Sequence, residues 1–235
     1  MSNLLILDKI DVSKEEVFRS LGTKINSRAR LEVDNAIERQ SKKASELISP
    51  RALFKTVRVA AGTDGLITLS DTLRIPFIEY FTGASGCILV VGTVGEELEH
   101  ETSRLFNHSQ HIDALVLNEI GIIMLDKLME SAKEHTKGLV GGEGMRYGFA
   151  LSPGCHNIPL DVQSDILAMV EADRIGITVT HSNLMIPLKS YSLLIPFGKN
   201  LKISGHNRSD CEICSAVDTC PYRKLSKASQ RLLSK

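Results

Sequence analysis

Three observations on this chain of 235 residues predict an α+β fold, a mixed or antiparallel sheet with long helices. Strand-like and helix-like segments are both present, but they do not alternate in the regular strand–helix–strand repeat that a doubly wound parallel sheet needs. "LFKTVRV" and "GLITLS" are separated only by the turn-rich "AAGTDG", which reads as a hairpin-like pair of strands. "HIDALVLNEIGIIMLDKLMESAKEH" places apolar residues at 112, 115, 116, 120, 123, 124 and 128, spacings of three and four that make one long, largely buried helix. A chain of this length can bury a substantial core without disulfides.

The elements follow in order. Ser13 with Glu16 three positions later is the reciprocal capping pair of a short helix, and Gly22 after Leu21 is suited to end it. From about Arg28 to Ile48 charged residues surround Ile37, Ala44, Leu47 and Ile48, a helical stripe that Pro50 stops. "CILVVGTVG", residues 87 to 95, reads as a buried strand closing on a tight turn, and "EELEHETSRLF" as the helix after it. Glu96 and Glu97 already occupy the favourable end of that helix dipole, so the glycines ahead of them do not argue for a phosphate site. "RYGFAL" is expected as a strand. "LDVQSDILAMVEADRIG" is expected as a helix, with Pro159 in its first turn and Val162, Ile166, Met169 and Val170 on one face. "GITVTHSNLMIP" and "SYSLLIPFG" are expected as two strands flanking the turn "PLKS". Residues 1–204 form one α+β domain on this reading, and 205–235 form a polar, cysteine-containing tail.

Charge and hydropathy exclude some functions. With 28 basic and 28 acidic residues there is no excess of positive charge to displace counterions, so no nucleic-acid partner is expected. No run approaches the roughly 18 apolar residues of a membrane span, and "MSNLLILDKIDVSKEE" has too short an apolar stretch and too many acids for a signal peptide. No membrane association and a cytoplasmic location are therefore expected. The acids are scattered over helical surfaces, and no Ser/His/Asp or paired-carboxylate arrangement emerges. His100, His108 and His111 form no pair of matching context.

The five cysteines carry more information. Cys87, inside an apolar strand, reads as a small core residue. Cys211, Cys214 and Cys220 follow Cys-x-x-Cys, five residues, Cys. In a reducing compartment such spacing points to metal binding, because a tight turn lets two thiolates reach one ion and a short loop brings a third. Three thiolates leave one position to fill. His206 would make a zinc site of three cysteines and one histidine, an exogenous ligand would leave an open iron–sulfur corner, and Cys155 would complete an all-cysteine site of four ligands if the tail folds back. His156, beside Cys155 at a helix entry, reads as a ligand or a cap.

The segment "SPGCHNIPLDVQSDILAMVEADRIGITVTHSNLMIPLKSYSLLI" resembles the activation, or reactivation, domain of cobalamin-dependent methionine synthase, and more closely its stand-alone relatives. The matching residues are Ser152, Pro153, Gly154, Pro159, Leu160, Gln163, Ile175, Gly176, Thr180, Ser182, Met185, Pro187, Lys189 and Ser190. Weaker resemblance reaches back through "DALVLNEIG" and "TVGEELE" to "EEVFRSLG", and the closing Cys-Pro-Tyr-Arg at 220–223 is similar to the end of those relatives. The resemblance implies the methionine synthase activation-like fold. It also implies that the chain assists reductive methylation of a corrinoid cofactor on a partner methyltransferase or corrinoid protein, with S-adenosylmethionine as methyl donor and Ser152, Pro153, Gly154 and Cys155 in the binding loop. The chain would contribute chiefly by positioning.

Three departures bear on this. The family arginine that would hold the methionyl carboxylate falls at Ala150, its tyrosine at Cys155, and the glutamate of its Thr-Glu-Ser at His181. Arg146 lies four residues from Ala150, about 13 Å of extended chain, and does not replace a bidentate cation at that position. The same departures motivate a different expectation, an electron-transfer or adaptor protein on this scaffold without S-adenosylmethionine binding. It would carry an iron–sulfur cluster or zinc on Cys211, Cys214, Cys220 and Cys155.

Overall fold

A computed structural model describes residues 2–7, 11–21, 27–62, 65–70, 73–203, 213, 214 and 218, the side chains of 27–29 and 61 excepted. The chain folds as an α+β protein around an antiparallel sheet. In chain order the strands are β1 (Asn3–Ile6), β2 (Arg51–Ala61), β3 (Leu66–Leu69), β4 (Leu73–Pro76), β5 (Gly86–Thr93), β6 (Arg146–Tyr147), β7 (Thr178–Val179), β8 (Met185–Ile186) and β9 (Ser190–Gly198). The helices are α1 (Lys14–Leu21), α2 (Ser27–Leu47), α3 (Glu97–Asn107), α4 (His111–Leu139) and α5 (Gln163–Val170). The large sheet runs β4-β3-β2-β5-β9-β6, with β1 paired to the first half of β2. β2, β5 and β9 form its centre in long antiparallel registers, Arg51 opposite Thr93 and Thr93 opposite Ser190.

Strand periodicity divides the core in two. Phe54, Ile88, Val90, Leu193 and Ile195 point to the face covered by α1 to α4. Leu53, Leu89, Val91 and Leu194 point to the opposite face, where α5 and the segments around it pack with Phe149, Ile158 and Ile175. Every residue of β5 is buried, which is why that segment reads as a continuous apolar run rather than an alternation.

The capping pair forms as expected: the Ser13 amide donates to Glu16 and the Glu16 amide to Ser13 Oγ. Gly22 lies outside the described residues. α2 ends before Pro50, and β2 and β3 pair as a hairpin. α4 is a single helix, but Ile112 and Leu115, assigned to its buried face, are exposed. At 100° per residue the buried positions fill about half the helix circumference, and these two fall on the other half.

Three strand assignments differ from expectation. "RYGFAL" pairs only at Arg146 and Tyr147 and then at an isolated bridge between Leu151 and Leu194. Gly148 donates to the Pro196 carbonyl, but Pro196 has no N–H to donate in return, so the ladder breaks between them. "GITVTHSNLMIP" is not one strand but the two-stranded hairpin β7–β8, separate from the main sheet and closed by a turn in which the Leu184 amide donates to Thr180 Oγ1. β1 has no counterpart among the expected strands, because "NLLI" is too short to show an alternation.

One ion pair ties α2 to α4. Arg39 donates two hydrogen bonds to Asp113, at 3.1 and 2.9 Å, and Gln40 donates a third at 2.7 Å. Burial pushes the Asp113 carboxyl up, but the two donors outweigh it and hold it below the usual range. Its contribution is therefore present above the unfolded carboxyl value, near 3.9, and is lost as pH falls through the lower folded value. Asp113→Asn is expected to cost on the order of 1–2 kcal/mol at pH 7. In denaturant unfolding the gap to wild type should narrow as pH falls through the lowered folded value and close below it.

Candidate functional site

The site is built around the loop between the Leu151 bridge and α5. Pro153 and Gly154 occupy the two central positions of a tight turn, closed by the Cys155 amide donating to the Ser152 carbonyl at 3.1 Å, and Gly154 has φ +79°. Proline followed by a positive-φ glycine is the arrangement a type II turn requires. A second turn follows directly, in which the Ile158 amide donates to the Cys155 carbonyl at 2.9 Å across His156 (φ +56°) and Asn157 (φ +62°). The Gly154 amide donates to the Ile158 carbonyl at 2.8 Å and closes both turns into one rigid tip. Histidine and asparagine tolerate left-handed backbone better than most residues, so the strain is modest and local. Pro153 and Ile158 are buried as anchors, whereas Gly154 and Asn157 are exposed and Cys155 and His156 half-buried.

This tip forms one wall of a cavity of about 600 Å³, a volume within the usual range for small-molecule sites. The opposite wall is the connection after β4, in which Phe77 and Tyr80 supply aromatic surface and Glu79 a carboxylate. Tyr80 is held edge-on against the buried Phe149, ring centroids 5.7 Å apart, so the core sets the position of this wall. Ile213, from the tail, completes the lining and packs against the same core as Ile158.

The predicted binding residues are thus partly brought together. Gly154 and Cys155 line the cavity. Ser152 and Pro153 support it from behind, through the turn carbonyl and through burial. Ala150 is buried in the core under α1 to α4, and Arg146, exposed on β6, does not line the cavity. His181 sits exposed at the tip of the β7–β8 hairpin and does not line it either. Phe77, Glu79 and Tyr80 lie outside the sequence expectation: they precede the quoted segment by more than seventy residues, and no local pattern connects them to it.

Of the four cysteines expected to hold a metal, Cys211 and Cys220 lie outside the described residues, as does His206. Cys155 and Cys214 are described, and both are free thiols. Burial pushes the Cys155 thiol up, and the nearby Cys214 pushes it further. Among the described residues no three His, Cys, Asp or Glu side chains converge on a common point. Cys87 is fully buried and its thiol is driven far up by burial, as a core cysteine should be.

Lys189, which belongs to the matching motif, has a structural use. The Lys189 and Leu188 amides donate to the two carboxylate oxygens of Glu99 on α3, at 2.6 and 3.1 Å, and the Lys189 carbonyl accepts from Thr93 Oγ1 at 3.2 Å. These bonds join the entry of β9 to the end of β5. The Lys189 side chain is half-buried, and burial pulls its ammonium below the usual value. Among the described residues no helix is long and apolar enough to cross a membrane.

No protein-family model matches the chain, and comparison with curated proteins finds no match. Among solved structures, the chain is similar to a crystal structure of the MetH reactivation domain bound to AdoHcy, with a TM-score of 0.61 and 10% sequence identity over 86% of this chain and 79% of that one. The chain therefore has the fold of the methionine synthase reactivation domain.

Proposed function

We propose that this protein is a stand-alone reactivation-like subunit that binds an adenosyl ligand of the S-adenosylmethionine type and docks on a corrinoid protein or corrinoid-dependent methyltransferase. The observation that carries this reading is the cavity between the Ser-Pro-Gly-Cys tip and the aromatic wall, on a scaffold shared with a domain solved with AdoHcy bound. The lining residues suit the adenosyl half of such a ligand. Phe77 and Tyr80 offer flat apolar surface to a purine ring, and Glu79 offers an acceptor to ribose hydroxyls. They suit the amino-acid half less well, since among the described lining residues there is no arginine or lysine to hold its carboxylate. Adenosyl surface therefore provides most of the affinity.

When bound, S-adenosylmethionine supplies an activated methyl group to the partner's reduced cobalt. The protein's own part is to hold that ligand in a fixed orientation, through the two interlocked turns, and to shield it from water on the aromatic side. Isothermal titration with AdoHcy and with S-adenosylmethionine tests this. Saturable binding of one ligand per chain is expected. Gly154→Val should weaken it at least tenfold while circular dichroism stays native, because a β-branched residue at φ +79° opens the turn. If neither ligand binds at millimolar concentration, the reading fails.

A second reading, an electron-transfer or adaptor protein with zinc or an iron–sulfur cluster on the tail cysteines, is favoured by one observation. The loop position that carries tyrosine in the resembling family is here a thiol with Cys214 beside it.

A further inference from the structure

We infer that the cavity selects its adenosyl ligand by charge, favouring a cation that carries no carboxylate over the zwitterionic amino-acid form. The inference rests on the adenosyl reading above and names the class of ligand that the site takes. Among the described lining residues Glu79 is the only carboxylate, and none is an arginine or a lysine. Glu79 is exposed and forms no ion pair among the described residues, so its charge is not neutralised by the protein around it. A ligand carboxylate brought into this space meets a like charge and no opposite one, and an unpaired charge taken out of water is costly.

The rest of the lining supplies no substitute for the missing cation. Successive backbone amides can cradle an anion, but the Gly154, Cys155 and Ile158 amides already donate to the Ile158, Ser152 and Cys155 carbonyls within the double turn. Both ring nitrogens of His156 are closed to solvent, so the ring presents no donor to the open cavity. Ala150, where the resembling family has the arginine for the methionyl carboxylate, packs in the core on the opposite face of the sheet from Ile158. The wall that carries Glu79 is fixed before a ligand arrives: the Phe77 amide donates to the Gly65 carbonyl at 2.8 Å and the Phe81 amide to the Ile78 carbonyl at 3.0 Å. A carboxylate that accepts from ribose hydroxyls lies within one sugar ring of a sulfur on C5′, close enough for a charge on that sulfur to be felt.

Isothermal titration of the full chain at low ionic strength compares four probes: AdoHcy, S-adenosylmethionine, decarboxylated S-adenosylmethionine and 5′-methylthioadenosine. The decarboxylated cation should bind at least about fivefold more tightly than AdoHcy, with S-adenosylmethionine between them. Methylthioadenosine, which lacks the whole amino-acid half, should bind at least as tightly as AdoHcy. Glu79→Gln keeps the shape and removes the charge, so the preference for the cation over AdoHcy should fall towards one, and raising the salt concentration should narrow it in the wild type. The inference is overturned if AdoHcy binds as tightly as the decarboxylated cation, if methylthioadenosine binds much more weakly than AdoHcy, or if Glu79→Gln, folded by circular dichroism, keeps the full preference. AdoHcy binding without any such preference removes this inference and leaves the adenosyl reading standing. Binding of the decarboxylated cation alone, with neither AdoHcy nor S-adenosylmethionine, supports the inference and removes the reading of the site as one for the amino-acid form. Failure of all four probes removes both.

Discussion

Gly83→Val will leave the protein severely destabilised, by at least about 4 kcal/mol, the range reserved for substitutions that break backbone geometry. Gly83 has φ +79°, and a Cβ placed there would lie 2.0 Å from the Asn200 carbonyl oxygen and 2.7 Å from its carbon. Neither atom belongs to a movable side chain, so the backbone itself must shift. Around this contact the Lys202 amide donates to the Thr82 carbonyl and the Ser85 amide to the Phe197 carbonyl, so the connection before β5 and the exit of β9 are bonded to each other. A valine would add the left-handed backbone penalty to the collision. Thermal unfolding followed by circular dichroism should show the midpoint lowered by roughly 8–16 °C. Gly83→Ala, a milder version, should fall between wild type and valine. A midpoint unchanged in both would mean that the close approach of the two segments is not there.

Phe149→Ala will cost about 3–5 kcal/mol in denaturant unfolding, as for other fully buried aromatic truncations. Phe149 is 1% exposed and lies in the core beneath the cavity, edge-on to Tyr80. Removing the ring leaves a void next to the aromatic wall and frees Tyr80 to lean into it. AdoHcy affinity should fall along with stability, whereas Phe149→Leu, which keeps most of the volume, should recover much of both. A variant that loses stability but binds AdoHcy with wild-type affinity would show that the wall does not need this support.

The contrast between these two residues and the quoted motif marks how much can be read from the residues alone. The capping pair at Ser13 and Glu16, the stop at Pro50, the buried run of β5 and the long helix α4 are all legible, since each depends on neighbours within a few positions. The interruption of "RYGFAL" is not, because its cause is the missing N–H of Pro196, a residue on another strand. The split of "GITVTHSNLMIP" into a hairpin is hidden for a similar reason: its Thr180–Leu184 turn uses a side-chain acceptor that composition does not reveal. Within the site, Gly154 and Cys155 come from a contiguous motif. Phe77, Glu79 and Tyr80 line the same cavity but come from a connection more than seventy residues earlier in the chain.

Local chemistry by itself determined the α+β class, the Ser13–Glu16 cap and the single long helix α4, because capping and hydrophobic period are properties of a few consecutive residues. Only the tertiary structure decided that Ala150 faces the core instead of a ligand and that the turn faces an aromatic wall. The reason is physical. Each of those facts is a contact between segments dozens of residues apart, and such contacts are selected by the packing of both faces of the sheet at once, a constraint that no window of the chain contains.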